Sequence, residues 1–197
     1  VYTGQSGNPL SYVYGVGSMV RDDGTNGTND LIYIPTAGDL SSMIFLNNTV
    51  SGVTYTPDQQ RAALEAYIQS NKYLRENRGK FAERNGSRLP FTNIIDLKIA
   101  QDFNIKVGSR RYQFQLTYDV FNFGNMLNRN WGRTYFQSND NFQLIQFAGY
   151  VNAATNLTPQ YRFNPTLVGR SPWNVSTTTN AAYAARWISQ VGLRFNF

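Results

Sequence analysis

The side chains able to do covalent or acid–base chemistry in this 197-residue chain are few and scattered. It contains no His and no Cys. A Ser-His-Asp triad and a His-ligated zinc are therefore excluded. So are a thiolate nucleophile, a disulfide framework and an iron–sulfur cluster. Two acidic groupings remain. Arg21–Asp30 reads Arg-Asp-Asp-Gly-Thr-Asn-Gly-Thr-Asn-Asp, whose carboxylates and amides could ligate Ca²⁺. Its spacing departs from the EF-hand loop and no Glu closes it, so a plain turn-rich loop is the simpler reading. Glu76 and Glu83 are seven residues apart in a stretch crowded with Lys72, Arg75, Arg78, Lys80, Arg84 and Arg88. Ion pairing explains two such acids better than a catalytic pair does. Arg beside Phe and Tyr can also grip a nucleic-acid strand, but nothing else here fits a nucleic-acid fold. No catalytic residue, metal ligand or cofactor is assigned, and the chain reads as a non-enzyme.

The elements that must carry these residues are strands. Charged residues make up 15% of the chain, against roughly 25% in soluble globular domains, and aromatics another 15%, too many for disorder. No stretch approaches the ~18 apolar residues of a transmembrane helix. Three segments alternate with period two. From Asn93 to Ile105, Ile95, Leu97, Ile99, Phe103 and Ile105 alternate with Asp96, Lys98, Ala100, Asp102 and Asn104. From Tyr112 to Asn122, Tyr112, Phe114, Leu116, Tyr118 and Val120 alternate with Gln113, Gln115, Thr117 and Asp119. From Trp187 to Phe197, Trp187, Val191, Leu193, Phe195 and Phe197 alternate with Gln190, Gly192, Arg194 and Asn196. Each segment presents one apolar and one polar face.

Their length suits a strand crossing a bilayer, which takes roughly 9–11 residues, better than a soluble strand of about 5–6. Periodicity alone leaves a soluble antiparallel sandwich open. Long polar rows, aromatics at segment ends and connections of very unequal length favour an outer-membrane barrel. Tyr12–Met19 is a weaker fourth strand. Leu31–Ile34, Met43–Tyr55, Phe142–Val151 and Tyr161–Leu167 are read as strand extensions or loop hairpins outside the bilayer. Thr56-Pro57-Asp58 has the N-cap, first-position proline and early acid of a helix start, continuing to about Ser70. It is expected as a small surface helix in a long loop. The N-terminus, Val1-Tyr2-Thr3-Gly4, carries no signal peptide, so either one was removed or the chain begins inside a longer protein.

Two motifs carry a family resemblance. The last residues, Gln190-Val191-Gly192-Leu193-Arg194-Phe195-Asn196-Phe197, resemble the C-terminal signal by which the BAM machinery recognises outer-membrane barrels, matching at Gln190, Gly192, Phe195 and Phe197. The match implies that the natural C-terminus is present. The second motif runs from Glu76-Asn77-Arg78-Gly79-Lys80-Phe81 to Arg88-Leu89-Pro90, then Ile95-Asp96-Leu97 and Gln101-Asp102-Phe103. It continues with Asp119-Val120-Phe121-Asn122-Phe123-Gly124-Asn125-Met126-Leu127-Asn128 and Trp131-Gly132. With Ser11–Gly15 and Asn29–Pro35 upstream, the whole resembles the C-terminal end of TonB-dependent receptors of the Bacteroidota, in the Oar-like branch related to SusC.

That resemblance implies an all-β fold: a portion of an antiparallel transmembrane β-barrel, about four spanning strands of 22, with long extracellular loops containing a short helix. The expected domain is 1–197, with no plug and no TonB box in this chain. The expected function is part of an outer-membrane receptor for active uptake of a glycan, peptide or chelate. The alternative is an Oar-like scaffold barrel in a multi-protein outer-membrane complex, and a complete eight-stranded barrel is a third reading. Implied partners are the upstream strands and plug of the same protein, TonB through a region outside this chain, outer-membrane lipid and lipopolysaccharide, and a surface lipoprotein or larger complex; no nucleic acid is expected.

Strand alternation sets Leu97, Ile99, Phe114, Leu116, Tyr118, Leu193 and Phe195 toward lipid and Asp96, Lys98, Asp102, Gln113, Gln115 and Asp119 toward the lumen. Trp187–Phe197 and Asn93–Ile105 run inward and Tyr112–Asn122 outward. Lys106–Arg111 is then a six-residue periplasmic turn, with Arg21–Pro90 and Phe123–Arg186 outside the cell. Trp131, Tyr135, Phe136 and Trp173 are the loop aromatics that could stack on a ligand, although aromatics more often pack loops together.

Overall fold

A computed structural model describes residues 1–15, 30–175 and 185–196. The chain is mostly β-strand with few helices, as an all-β class requires, and its described strands do not close into a barrel. It divides into two compact units. The first comprises Val1–Gly7, Leu89–Phe136 and Asn174–Phe197; the second comprises Asn8–Arg88 and Gln137–Trp173. No helix among the described residues is long and apolar enough to cross a membrane.

The first unit is built on the three alternating segments. Strands Leu97–Val107, Arg110–Phe121 and Ile188–Asn196 form one antiparallel sheet in that order. Thr92–Ile95 continues the first of them upstream and pairs with Tyr2–Gln5. The hairpin between the first two strands is tighter than expected. Lys106 still pairs with Arg111 and Val107 with Arg110, so the turn is only Gly108-Ser109. Gly108 has φ +63°, a value that glycine adopts without a Cβ penalty, and this permits the two-residue turn.

The second unit adds contacts that the sequence did not reveal. Tyr12–Met19, expected as a weaker fourth strand, is described only as far as Gly15. Its described part belongs to Pro9–Gly15, a strand of a five-stranded mixed sheet, while residues 16–19 lie outside the described ones. Sheet order is Ile44–Phe45, Asn156–Phe163, Asn141–Asn152, Pro9–Gly15, Ser87–Arg88. Asn141–Asn152 runs parallel to Pro9–Gly15 and antiparallel to Asn156–Phe163. Leu10, Tyr12, Val13 and Tyr14 are all buried, whichever face they point to. A strand buried on both faces reads as a continuous apolar run, which is why Tyr-Val-Tyr passed for weak alternation.

Phe142–Val151 lies within Asn141–Asn152 and Tyr161–Phe163 ends Asn156–Phe163; these two strands form an antiparallel hairpin, as expected, but one that is built into the larger sheet, while Pro165–Leu167 is a single 3-10 turn. Of the segment Met43–Tyr55, Asn48–Val50 and Val53–Tyr55 do form a hairpin, and Ile44–Phe45 joins the sheet.

The helix spans Pro57–Ser70 as its sequence predicts, with a complete capping box. Thr56 Oγ1 accepts from the Gln59 N–H, and Gln59 Oε1 accepts from the Thr56 N–H. It is not a mere surface helix, since Leu64, Tyr67 and Ile68 are buried. Gln60, also fully buried, donates to the carbonyls of Leu46 (2.7 Å) and Tyr55 (3.1 Å) and accepts from the Phe163 N–H (2.9 Å). One amide thereby fastens the helix to a strand and to the segment before it. Among the described residues, all the buried apolar side chains except Leu89 and Val120 lie in this unit.

Candidate functional site

In the first unit, register sorts every alternating residue onto one of two faces. One face carries the rows Leu97, Val120 and Ser189; Ile99, Tyr118 and Val191; Gln101, Leu116 and Leu193; then Phe103, Phe114 and Phe195. The other carries Lys98, Asp119 and Gln190; Ala100, Thr117 and Gly192; Asp102, Gln115 and Arg194; then Asn104, Gln113 and Asn196. The residues expected toward lipid thus share the first face. Lys98, Asp102, Gln113, Gln115 and Asp119 share the second. Apart from the buried Val120, the apolar face is largely open in this structure: Leu193 is 73% exposed and Val191 68%.

The polar face is knitted by modest contacts. Lys98 Nζ lies 3.3 Å from Asp119 Oδ1, and Gln115 donates to Asp102 Oδ1 at 2.9 Å. An ion pair as open as the first contributes about 0–1 kcal/mol. Asp96 has a different task. Its Oδ1 accepts the Asn122 N–H at 2.8 Å and ties the start of one strand to the end of the next.

Of the terminal-strand residues, Gln190 sits opposite Asp119 and Gly192 opposite Thr117. A Cβ at Gly192 would lie 2.5 Å from Thr117 Oγ1, so this glycine is also a packing requirement. Phe195 packs on Phe114 with ring centroids 4.6 Å apart and stacks on Tyr112 at 6.0 Å. Phe197 lies outside the described residues.

The four loop aromatics do not form one group. Trp131, Tyr135 and Phe136 belong to the first unit and Trp173 to the second. Trp131 adjoins a clasp that sequence reasoning missed. Asn122, in the left-handed conformation at φ +55°, donates from Nδ2 to the Gly132 carbonyl at 2.8 Å. A Cβ at Gly132 would fall on the Asn122 side chain. Asn125 donates to the Trp131 carbonyl at 2.8 Å. Asn in a Phe-Asn-Phe-Gly-Asn string before Trp-Gly was the available signal, since Asn tolerates left-handed backbone better than most residues. Tyr135 and Phe136 form a short strand paired with Asn174–Val175.

Trp173 lines a cleft of about 410 Å³ in the second unit, with Asn71, Lys72, Tyr73, Glu76 and Arg88. Asn71 holds this wall in place. Its Nδ2 donates to Tyr12 Oη at 2.7 Å, and its Oδ1 accepts the Leu74 N–H at the start of the short Lys72–Glu76 helix. Burial pushes the Tyr12 and Tyr67 hydroxyls far above the usual tyrosine value, so both stay neutral, and that of Tyr12 accepts the Asn71 amide.

The cation-rich stretch pairs differently from expectation. Arg78 Nη2 meets Glu65 of the long helix at 2.7 Å, and among the described residues Glu76 and Glu83 are in no ion pair. No cluster of three or more potential metal ligands occurs among the described residues. The acidic loop of residues 21–29 falls outside them. Comparison with known protein families, with curated proteins and with solved structures finds no match to this chain.

Proposed function

We propose that this chain is the C-terminal end of an outer-membrane β-barrel receptor of the TonB-dependent kind, working in nutrient uptake. The first unit supplies spanning strands, and the second is assembled from the connections between them on the outer side of the membrane. One observation carries this reading. Three consecutive neighbours of 11, 12 and 9 residues hold a continuous antiparallel register, with an apolar face that, apart from the buried Val120, is largely left open, as at Ile99, Phe103, Leu116, Val191 and Leu193. Monomeric soluble proteins rarely expose an apolar patch beyond a few hundred Å². In lipid the same face needs no protein cover, and the polar face lines a wet interior. A free sheet edge in lipid leaves backbone groups unpaired at several kcal/mol each. The working barrel therefore needs upstream strands of the same protein.

The test compares two neighbouring substitutions. Leu116→Arg, near the middle of the apolar face, should cost roughly 2–4 kcal/mol if it lies near the midplane and sharply lower the amount of heat-modifiable, membrane-integrated protein. Gln115→Arg, one residue away on the polar face, should integrate normally. Equal behaviour of the two variants would sink the barrel reading.

The alternative of a scaffold barrel draws on the interlocked core of the second unit, which is closer to a docking module than to a set of adaptable loops. Growth on a nutrient taken up through this protein, lost when the TonB system is deleted, favours the receptor. Unchanged growth together with loss of partner proteins from the outer membrane favours the scaffold.

A further inference from the structure

We propose that the cleft at Trp173 binds an aromatic carboxylate, the chemistry presented by a peptide whose last residue carries a ring. This names a ligand class for the nutrient uptake proposed above, and it rests on that reading.

The cleft has a rigid wall. Phe163, Tyr67, Phe142, Tyr12 and Tyr73 touch in sequence, with centroids 6.2, 6.3, 5.9 and 5.9 Å apart. This series starts at a fully buried phenylalanine and ends on a cleft-lining ring. The final pair is nearly parallel, at 8°. The hydroxyl of Tyr73 accepts the Glu83 N–H at 2.8 Å. Gly86 leaves room for that hydroxyl, since a Cβ there would sit only 2.4 Å from it. Tyr73 is therefore fixed in both ring plane and position before any ligand arrives. A preset aromatic surface loses little conformational freedom on binding a second ring, and Trp173 supplies another aromatic surface in the same cleft.

The charges select the acid. Lys72 and Arg88 contribute two cations to the lining against the single anion of Glu76. Lys72 and Glu76 are four residues apart on one short helix, a spacing that permits pairing. Among the described residues, however, neither is in an ion pair. The Lys72 ammonium therefore remains available to a carboxylate, and the Glu76 carboxylate to an amide N–H such as a peptide carries next to its last residue. The volume lies within the range of small-ligand sites, about 300–1,000 Å³.

Saturation-transfer NMR on the purified full chain tests this with three probes: N-acetylphenylalanine, its carboxamide and glucuronate. N-acetylphenylalanine should bind at least about fivefold more tightly than the amide, and glucuronate should give no transfer. Lys72→Gln, at an exposed position, should abolish the difference between acid and amide. Trp173→Leu should weaken both alike, with an unchanged melting curve as the check on folding. Equal binding of acid and amide to the native chain would overturn the proposal, as would a gap that survives Lys72→Gln. Tighter binding of glucuronate would assign the cleft to a saccharide instead. Membrane integration is scored separately, with Leu116→Arg, so failure of the ligand assay leaves the barrel reading standing.

Discussion

The two units use the same strand chemistry toward opposite ends. The five-stranded sheet of Asn8–Arg88 and Gln137–Trp173 is covered, with its rings interlocked and its Gln60 amide saturated. The three-stranded sheet of Leu97–Val107, Arg110–Phe121 and Ile188–Asn196 carries as many large apolar side chains and buries few of them. What separates them is the pattern of apolar residues. Consecutive apolar residues, as at Leu144-Ile145 and Tyr12-Val13-Tyr14, need protein on both sides. Strict alternation needs only one apolar neighbour, and that neighbour can be lipid.

The comparison breaks first, and most visibly, at the ends of the burial scale. Phe163→Ala in the covered sheet should cost about 3–5 kcal/mol, because the emptied site is fully enclosed. Leu193→Ala in the bare sheet should change stability by less than about 0.5 kcal/mol in denaturant titrations of the detergent-solubilised protein. Similar costs for both would mean that the bare face is covered in solution.

Gln60→Leu should come next, at roughly 2–4 kcal/mol. It keeps the bulk of the side chain but strands the Phe163 N–H and the carbonyls of Leu46 and Tyr55 in a dry interior. The same titration checks it, and a neutral result would show that water reaches this site.

The smallest effect distinguishes the ion pairs. Burial pushes the Glu65 carboxyl up, but hydrogen bonds from Gln69 and Arg78, with the Arg78 charge, more than offset it and leave the group below its ordinary value. A depressed folded value stabilises the protein above the unfolded glutamate value of about 4.3. That contribution is lost as pH falls through the folded value. Glu65→Gln should therefore flatten the loss of stability as pH falls below about 4.3, whereas Lys98→Gln, which breaks the open pair on the bare sheet, should cost no more than about 1 kcal/mol in the same titration at neutral pH.

Local chemistry in this chain is legible in the sequence, and assembly across distance is not. Period-two alternation located the three long strands and the face of each residue, because side-chain direction in a strand depends only on position parity. Thr56, Pro57 and Asp58 marked the helix start because an N-cap, a first-position proline and an early acid all act within one turn. By contrast, nothing near Tyr12 reveals that Asn141–Asn152 will lie parallel beside it. Gln60 looks like any polar residue on a helix until its three partners are known. Asn122 and Gly132 are ten residues apart, and only the clasp gives either a meaning. Trp173 was legible as a loop aromatic, but the cleft it lines depends on Tyr73 and Gly86, which carry no signal until the ring series is seen.

The Gln60 clasp also sets a timetable. It closes on Phe163 across 103 residues of chain, and Asn48 reaches the same residue's carbonyl across 115. The Gly108-Ser109 hairpin, with partners adjacent in sequence, can zip in roughly 1–10 μs. Contacts as distant as those of Gln60 are slow to form, because closing a long loop spends chain entropy before any contact repays it. A ribosome emitting about 5–20 residues per second delivers Pro57–Ser70 several seconds before the strand it must grip. Throughout that interval Leu64, Tyr67 and Ile68 have no core to enter. A nascent chain with such a schedule carries the apolar face of this helix without its strand partner until synthesis has passed Phe163.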